Sequence, residues 1–175
     1  MGHLHRHARC RDRRDADPGP RLDTARTEET NHLTNSPSDT APVIRIAAAL
    51  IFDSQGQMLL VRKRGSSFFM QAGGKIEPGE TPRAALGREL KEELGVELPP
   101  EAFHLGRFVA EAANEDGHWV DAELYGFLLD QHVSPAAEIE EVVWASETML
   151  PTIKLAPLTC NEVMPLARRM RLSKL

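Results

Sequence analysis

Residues 74–96 read GKIEPGETPRAALGRELKEELGV, and they constrain the fold more than any other stretch. Thr81 is a good N-cap, Pro82 suits the first helical position, and Gly95 supplies a left-handed stop, so a helix running to Leu94 is expected. Leu86, Leu90 and Leu94 recur at i, i+4 and i+8, the stripe by which such a helix packs on a sheet. Roughly a quarter turn around, at the rim where a site can open, stand Glu89, Glu92 and Glu93, three carboxylates at i, i+3 and i+4 on one face. Like charges at this spacing repel, so a helix built only for stability would avoid them. A divalent cation among them resolves the conflict. Oxygen-only sites suit Mg²⁺ or Mn²⁺, and Mg²⁺ usually works beside a substrate phosphate. Taken alone, a Glu/Lys/Arg run is more often a solvated helix face.

Strand signals surround this helix. Val43–Phe52 reads as a buried strand ended by the turn at 53–56, and Met58–Arg64 as its returning hairpin partner. Phe68–Gln71 suggests a short strand leading to Gly73 and Gly74. Phe103–Ala113 and Trp119–Asp130 form an antiparallel pair around the turn at 114–117. Val142, Val143 and Trp144 give another short strand that reads as core, and Cys160–Leu172 a closing amphipathic helix with basic residues in its last turns. The folded domain is thus expected over residues 43–175.

Residues 1–42 are of another kind. They carry almost no large apolar side chains, and their seven arginines are balanced by seven acids. Such a segment cannot bury enough surface to offset ordering entropy and reads as a disordered extension. The net charge of −5 therefore belongs to the domain, which argues against binding a nucleic-acid polymer. No stretch is apolar for the length of a membrane span, and the early arginines are followed by no apolar run, so a secretory signal is not expected. Cys10 and Cys160 form no metal-ligand or disulfide pattern, so a reducing cytoplasm is the expected location.

The stretch fits, residue for residue, the signature of the Nudix family: Gly74, five residues, Glu80, seven residues, Arg88-Glu89-Leu90, one residue, Glu92-Glu93, one residue, Gly95-Val96. At about 7% usage for each of seven of these positions, a chance match at one start is on the order of 10⁻⁸. The resemblance implies an α/β/α sandwich around a mixed sheet, an α+β arrangement, and an enzyme that hydrolyses a diphosphate bond in a nucleoside diphosphate derivative. It also implies Mg²⁺ or Mn²⁺ held by Glu92 and Glu93, with Glu89 as ligand or general base. The Gly74 carbonyl is a further candidate ligand. Arg88 is expected to orient Glu89, and Glu80 to add a water-mediated contact. Glu138 resembles an additional metal-binding glutamate of MutT-type enzymes, with Glu140 and Glu141 as competitors. Arg64 sits where those enzymes place a phosphate-contacting arginine; an exposed strand-end cation is the plainer reading.

The expected substrate is a nucleoside triphosphate, with an oxidised purine one as a candidate, cleaved to monophosphate and pyrophosphate. The stretch GGKIEPGETP resembles the MutT-type enzymes, whereas features of the relatives acting on ADP-ribose, dinucleoside polyphosphates and NADH are missing. Gln71 and Ala72 stand where most relatives carry proline before the paired glycines, which bears on the substrate pocket. Asn161 resembles a base-recognising asparagine, although a helix-capping role is the stronger reading. A nucleotide-sugar pyrophosphatase and a non-catalytic nucleotide-binding module remain the alternatives. Relatives are often homodimers.

Overall fold

A computed structural model describes residues 41–172, with side chains to residue 170. The extension expected over residues 1–42 lies almost wholly outside the described residues. The elements run β1 (Val43–Phe52), β2 (Met58–Lys63), β3 (Phe69–Met70), β4 (Ala72–Lys75), α1 (Pro82–Leu94), β5 (Phe103–Glu111), β6 (Trp119–Leu128), β7 (Ile139–Ala145) and α2 (Met164–Leu172). A 3₁₀ turn at Leu150–Thr152 and a π-helical turn at Thr159–Val163 precede α2.

The strands join in one mixed sheet, with β1 parallel to β6 and the other pairings antiparallel. Strand alternation sends β1 side chains to opposite faces. Ala47, Ala49 and Ile51 pack with Leu86, Leu90 and Leu94 of α1, while Ala48, Leu50 and Phe52 pack with Val163, Met164 and Ala167 near α2. The result is the α/β/α sandwich the sequence implies, with a helix on each face.

The β1–β2 hairpin differs from expectation. The two strands pair only at Phe52 and Met58 beside the turn, and then they part. β4 lies along β1 instead, and β7 lies along β2. The small residues of this region make the rearrangement possible. A Cβ on Gly73, whose φ is 137°, would meet the Ala47 carbonyl oxygen at 2.2 Å. Only glycine lets β4 approach this closely. The closing helix also departs from a regular α-helix, because its first turn, Thr159–Val163, is wound as a π-helix. Of the two cysteines, Cys10 lies outside the described residues. No helix among the described residues is long and apolar enough to cross a membrane.

Candidate active site

Local chemistry builds α1 as expected. The Thr81 hydroxyl accepts from the Ala84 amide at 3.2 Å, Pro82 opens the helix, and Gly95 ends it at φ 69°. The helix presents its three carboxylates to three environments. Glu92 is exposed, Glu89 is mostly covered, and Glu93 is fully buried beside the leucine stripe. The expectation that all three stand at the rim fails for Glu93. It faces β4, where the Gly73 amide donates to its Oε2 at 2.9 Å.

Glu89 lies against Gly74. A Cβ there would sit 2.4–2.6 Å from the Glu89 carboxyl group, so glycine makes room for the carboxylate as well as exposing its own backbone. Arg88 gathers the rest. It donates to both Glu80 oxygens at 2.9 and 3.0 Å, to Glu89 Oε1 at 2.8 Å and to the Lys75 carbonyl at 3.1 Å, with Glu92 Oε2 at 3.5 Å. These carboxylates push the guanidinium pKa upward. Glu80 is held well below its ordinary value by Arg88 first and then by the Glu77 amide. Both its oxygens are engaged, so Glu80 clamps the loop to the helix rather than facing the carboxylate cluster.

Lys63 is the member the sequence reading passed over. Its ammonium lies 3.2 Å from Glu93 Oε1 and pairs also with Glu138. Burial disfavours its charge, but Glu93 and Glu138 outweigh that and hold its pKa above the usual lysine value. Glu93 in turn is raised, because burial outweighs the relief from Lys63 and the Gly73 amide. The signal was strand period: Leu59 and Val61 face α1, and Lys63 continues that alternation.

Glu138 is brought to the cluster by its backbone. Its carbonyl accepts from the Arg64 amide at 2.8 Å, and the Ala136 amide binds the Glu93 carbonyl at 2.9 Å. Ala137 just before it has φ 51°, a left-handed conformation costly for a residue with Cβ. Glu140 and Glu141 are drawn away by Arg62. The Arg64 side chain is exposed. Gln71 is buried on the other face of the sheet, where its Oε1 accepts from the Thr159 hydroxyl at 2.8 Å and its Nε2 has no partner. Asn161 is exposed within the π-helical turn and therefore caps nothing. This corrects the capping reading.

As the side chains stand, no three acidic or histidine groups among the described residues converge into a ready cage. The donor chemistry nevertheless fits a hard divalent ion. Every candidate ligand is oxygen, the buried Glu93 Oε1 lacks a hydrogen bond, and a protein ammonium stands beside it as a cationic stand-in.

The NUDIX domain family model matches residues 42–161, well over half the chain. A mixed sheet carrying this loop and helix thus belongs to the NUDIX family. The chain is 33% identical over 126 residues to the CTP pyrophosphohydrolase of Escherichia coli K12, covering 66% of this chain and 84% of that one. It is 41% identical over 58 residues to the 8-oxo-dGTP diphosphatase of Haemophilus influenzae, covering 31% and 43%. A MutT protein from Methanosarcina mazei shares the fold with a TM-score of 0.63 at 23% identity, over 77% of this chain and 99% of that one. The chain is a Nudix hydrolase acting on nucleoside diphosphate derivatives.

Proposed function

We propose that this hydrolase cleaves a nucleoside triphosphate to monophosphate and pyrophosphate, with a pyrimidine triphosphate such as CTP as the leading substrate. The completeness of the CTP pyrophosphohydrolase match carries the choice. That match takes in 84% of the relative, whereas the match to the 8-oxo-dGTP enzyme takes in 43%, and a 132-residue match to a human 8-oxo-dGDP phosphatase takes in 38%. A match over most of a relative includes its strands and helices outside the loop–helix element, where the base must be read. An oxidised purine triphosphate is the second reading.

Glu89, Glu92 and Glu93 are the residues to hold Mg²⁺ or Mn²⁺, with Glu138 and the Gly74 carbonyl completing the set. Such an ion neutralises phosphate oxygens and lowers the pKa of water for in-line attack. The protein's share is positioning. Arg88 fixes Glu89 and keeps loop 75–80 on the helix. The Gly73 amide fixes Glu93. Glu89, covered but not sealed, is suited to take a proton from the attacking water. Arg64, exposed just beyond the end of β2, is a cation available to a phosphate, and Gln71 and Asn161 are candidates on the nucleoside side.

A phosphate-release assay with coupled pyrophosphatase, run with Mg²⁺ and with Mn²⁺, tests the reading. The panel is CTP, oxidised dGTP, the ordinary triphosphates and nucleotide sugars. CTP is expected to give the highest kcat/KM, and Glu93→Gln to lower turnover on the order of 10³-fold. Unaltered metal-dependent turnover in Glu93→Gln would overturn the site. A nucleotide sugar at the head of the panel would overturn the substrate.

A further inference from the structure

Glu93 presents an electrostatic problem that the fold solves in an unusual way. Its side chain is only 1% exposed, yet only one of its two oxygens receives a hydrogen bond, the one from the Gly73 amide. A buried carboxylate of this kind is strongly unfavourable unless a cation compensates it. Lys63 supplies that cation from the neighbouring strand. The same ammonium reaches Glu138, which is 60% exposed and arrives on a different loop. One lysine therefore joins the most buried and one of the most exposed acids of the candidate metal set. It occupies the space between their facing oxygens.

We infer that Lys63 is a resident counter-cation of the active site, and that a divalent ion enters the Glu93–Glu138 position by displacing its ammonium. The inference rests on the metal site proposed above. Two cations cannot share one carboxylate oxygen at contact distance without strong repulsion. Metal binding is therefore an exchange: a divalent charge replaces a single positive charge, and the ammonium swings out to solvent on its flexible stem. Without metal, Lys63 keeps Glu93 folded in place. With metal, the same lysine is a competitor that weakens affinity for the ion. The fold thus trades metal affinity for stability of the empty site.

Binding of Mn²⁺ to the nucleotide-free protein, followed by electron paramagnetic resonance, tests this directly. Glu93→Gln separates the two readings. If the wild type binds no Mn²⁺, or Glu93→Gln leaves binding unchanged, the metal site itself falls, and the exchange with it. If binding depends on Glu93, Lys63→Met is expected to tighten it on the order of tenfold, and Lys63→Arg to stay near wild type. Equal or weaker binding in Lys63→Met would overturn the exchange while leaving the metal site standing. Should Lys63→Met fold poorly, the wild type supplies the second measurement. The ¹⁵N resonance of the Lys63 ammonium must shift on titration with Mg²⁺, with the midpoint of metal binding. A resonance that stays unmoved at saturating Mg²⁺ would likewise overturn it.

Discussion

Among the residues of the site, the two adjacent glycines of β4 perform different tasks, and substitution separates them. An alanine at Gly73 would drive its Cβ into the Ala47 backbone at 2.2 Å from a φ of 137°. Neither strand can yield there, so the pairing of β1 with β4 must suffer. The three atoms nearest an alanine Cβ at Gly74 all belong to the end of the Glu89 side chain, which can swing away. Gly74→Ala should therefore leave the melting temperature nearly unchanged while moving a carboxylate by about an ångström. Displacements of that size cost on the order of 10²-fold in rate. Thermal melting alongside kcat for both variants checks this. A Gly74→Ala protein with full kcat would show that the Glu89 position is unimportant, and a melting loss as large as that of Gly73→Ala would show that the contact is structural.

At the level of elements, α1 and the loop before it behave as one unit because Arg88 ties them. Its guanidinium links Glu80 of the loop, Glu89 of the helix and the carbonyl of Lys75 at the end of β4. The Glu80 carboxyl is held below its ordinary value of 4.5 by Arg88 and the Glu77 amide. The folded protein then binds the proton less readily than the unfolded chain. The clamp's contribution is accordingly present above the ordinary carboxylate value and is lost as pH falls through the depressed one. The stability difference between wild type and Glu80→Gln, followed by urea unfolding from neutral pH downward, should shrink to nothing across that window. It should also shrink with added salt, since the pair is solvent-accessible. A difference that persists at low pH would mean that Glu80 acts through packing. This helix was legible in the sequence because its determinants are local: a Thr81 cap, a leucine stripe and a Gly95 stop. The early parting of β1 and β2 was not, because it depends on β4 and β7, strands far along the chain that claim their edges. The burial of Glu93 was hidden for the same reason. Helical spacing places it beside Glu89 and Glu92, but only the approach of β4 decides which of the three is covered.

Across the whole molecule, the two sides of the sheet carry different parts of the task. The face under α1 gathers Glu93 and Lys63, while the face under α2 holds one buried polar pair, Gln71 and Thr159, in an otherwise apolar layer. That pair links positions 88 residues apart and pins the π-helical turn to the β3–β4 junction. Sequence reading singled out Gln71 because it stands near the place of a usual proline, but it named Asn161 rather than Thr159. The extra residue of a π-helical turn shifts which side chain points inward, and no local pattern announces it. Thr159→Val should cost about 1–3 kcal/mol, the usual penalty for stranding a buried polar group, since it leaves the Gln71 amide without any partner. Adding Gln71→Met should recover most of that loss, because an apolar pair of similar shape replaces a half-satisfied polar one. Denaturant unfolding of the two single variants and the double variant measures the coupling. Additive losses would mean that the two side chains do not support each other. If the recovered double variant then keeps its turnover of CTP but loses discrimination among bases, the unpaired Gln71 Nε2 is placed on the nucleoside side of the site, and the pair serves recognition at some expense to the core.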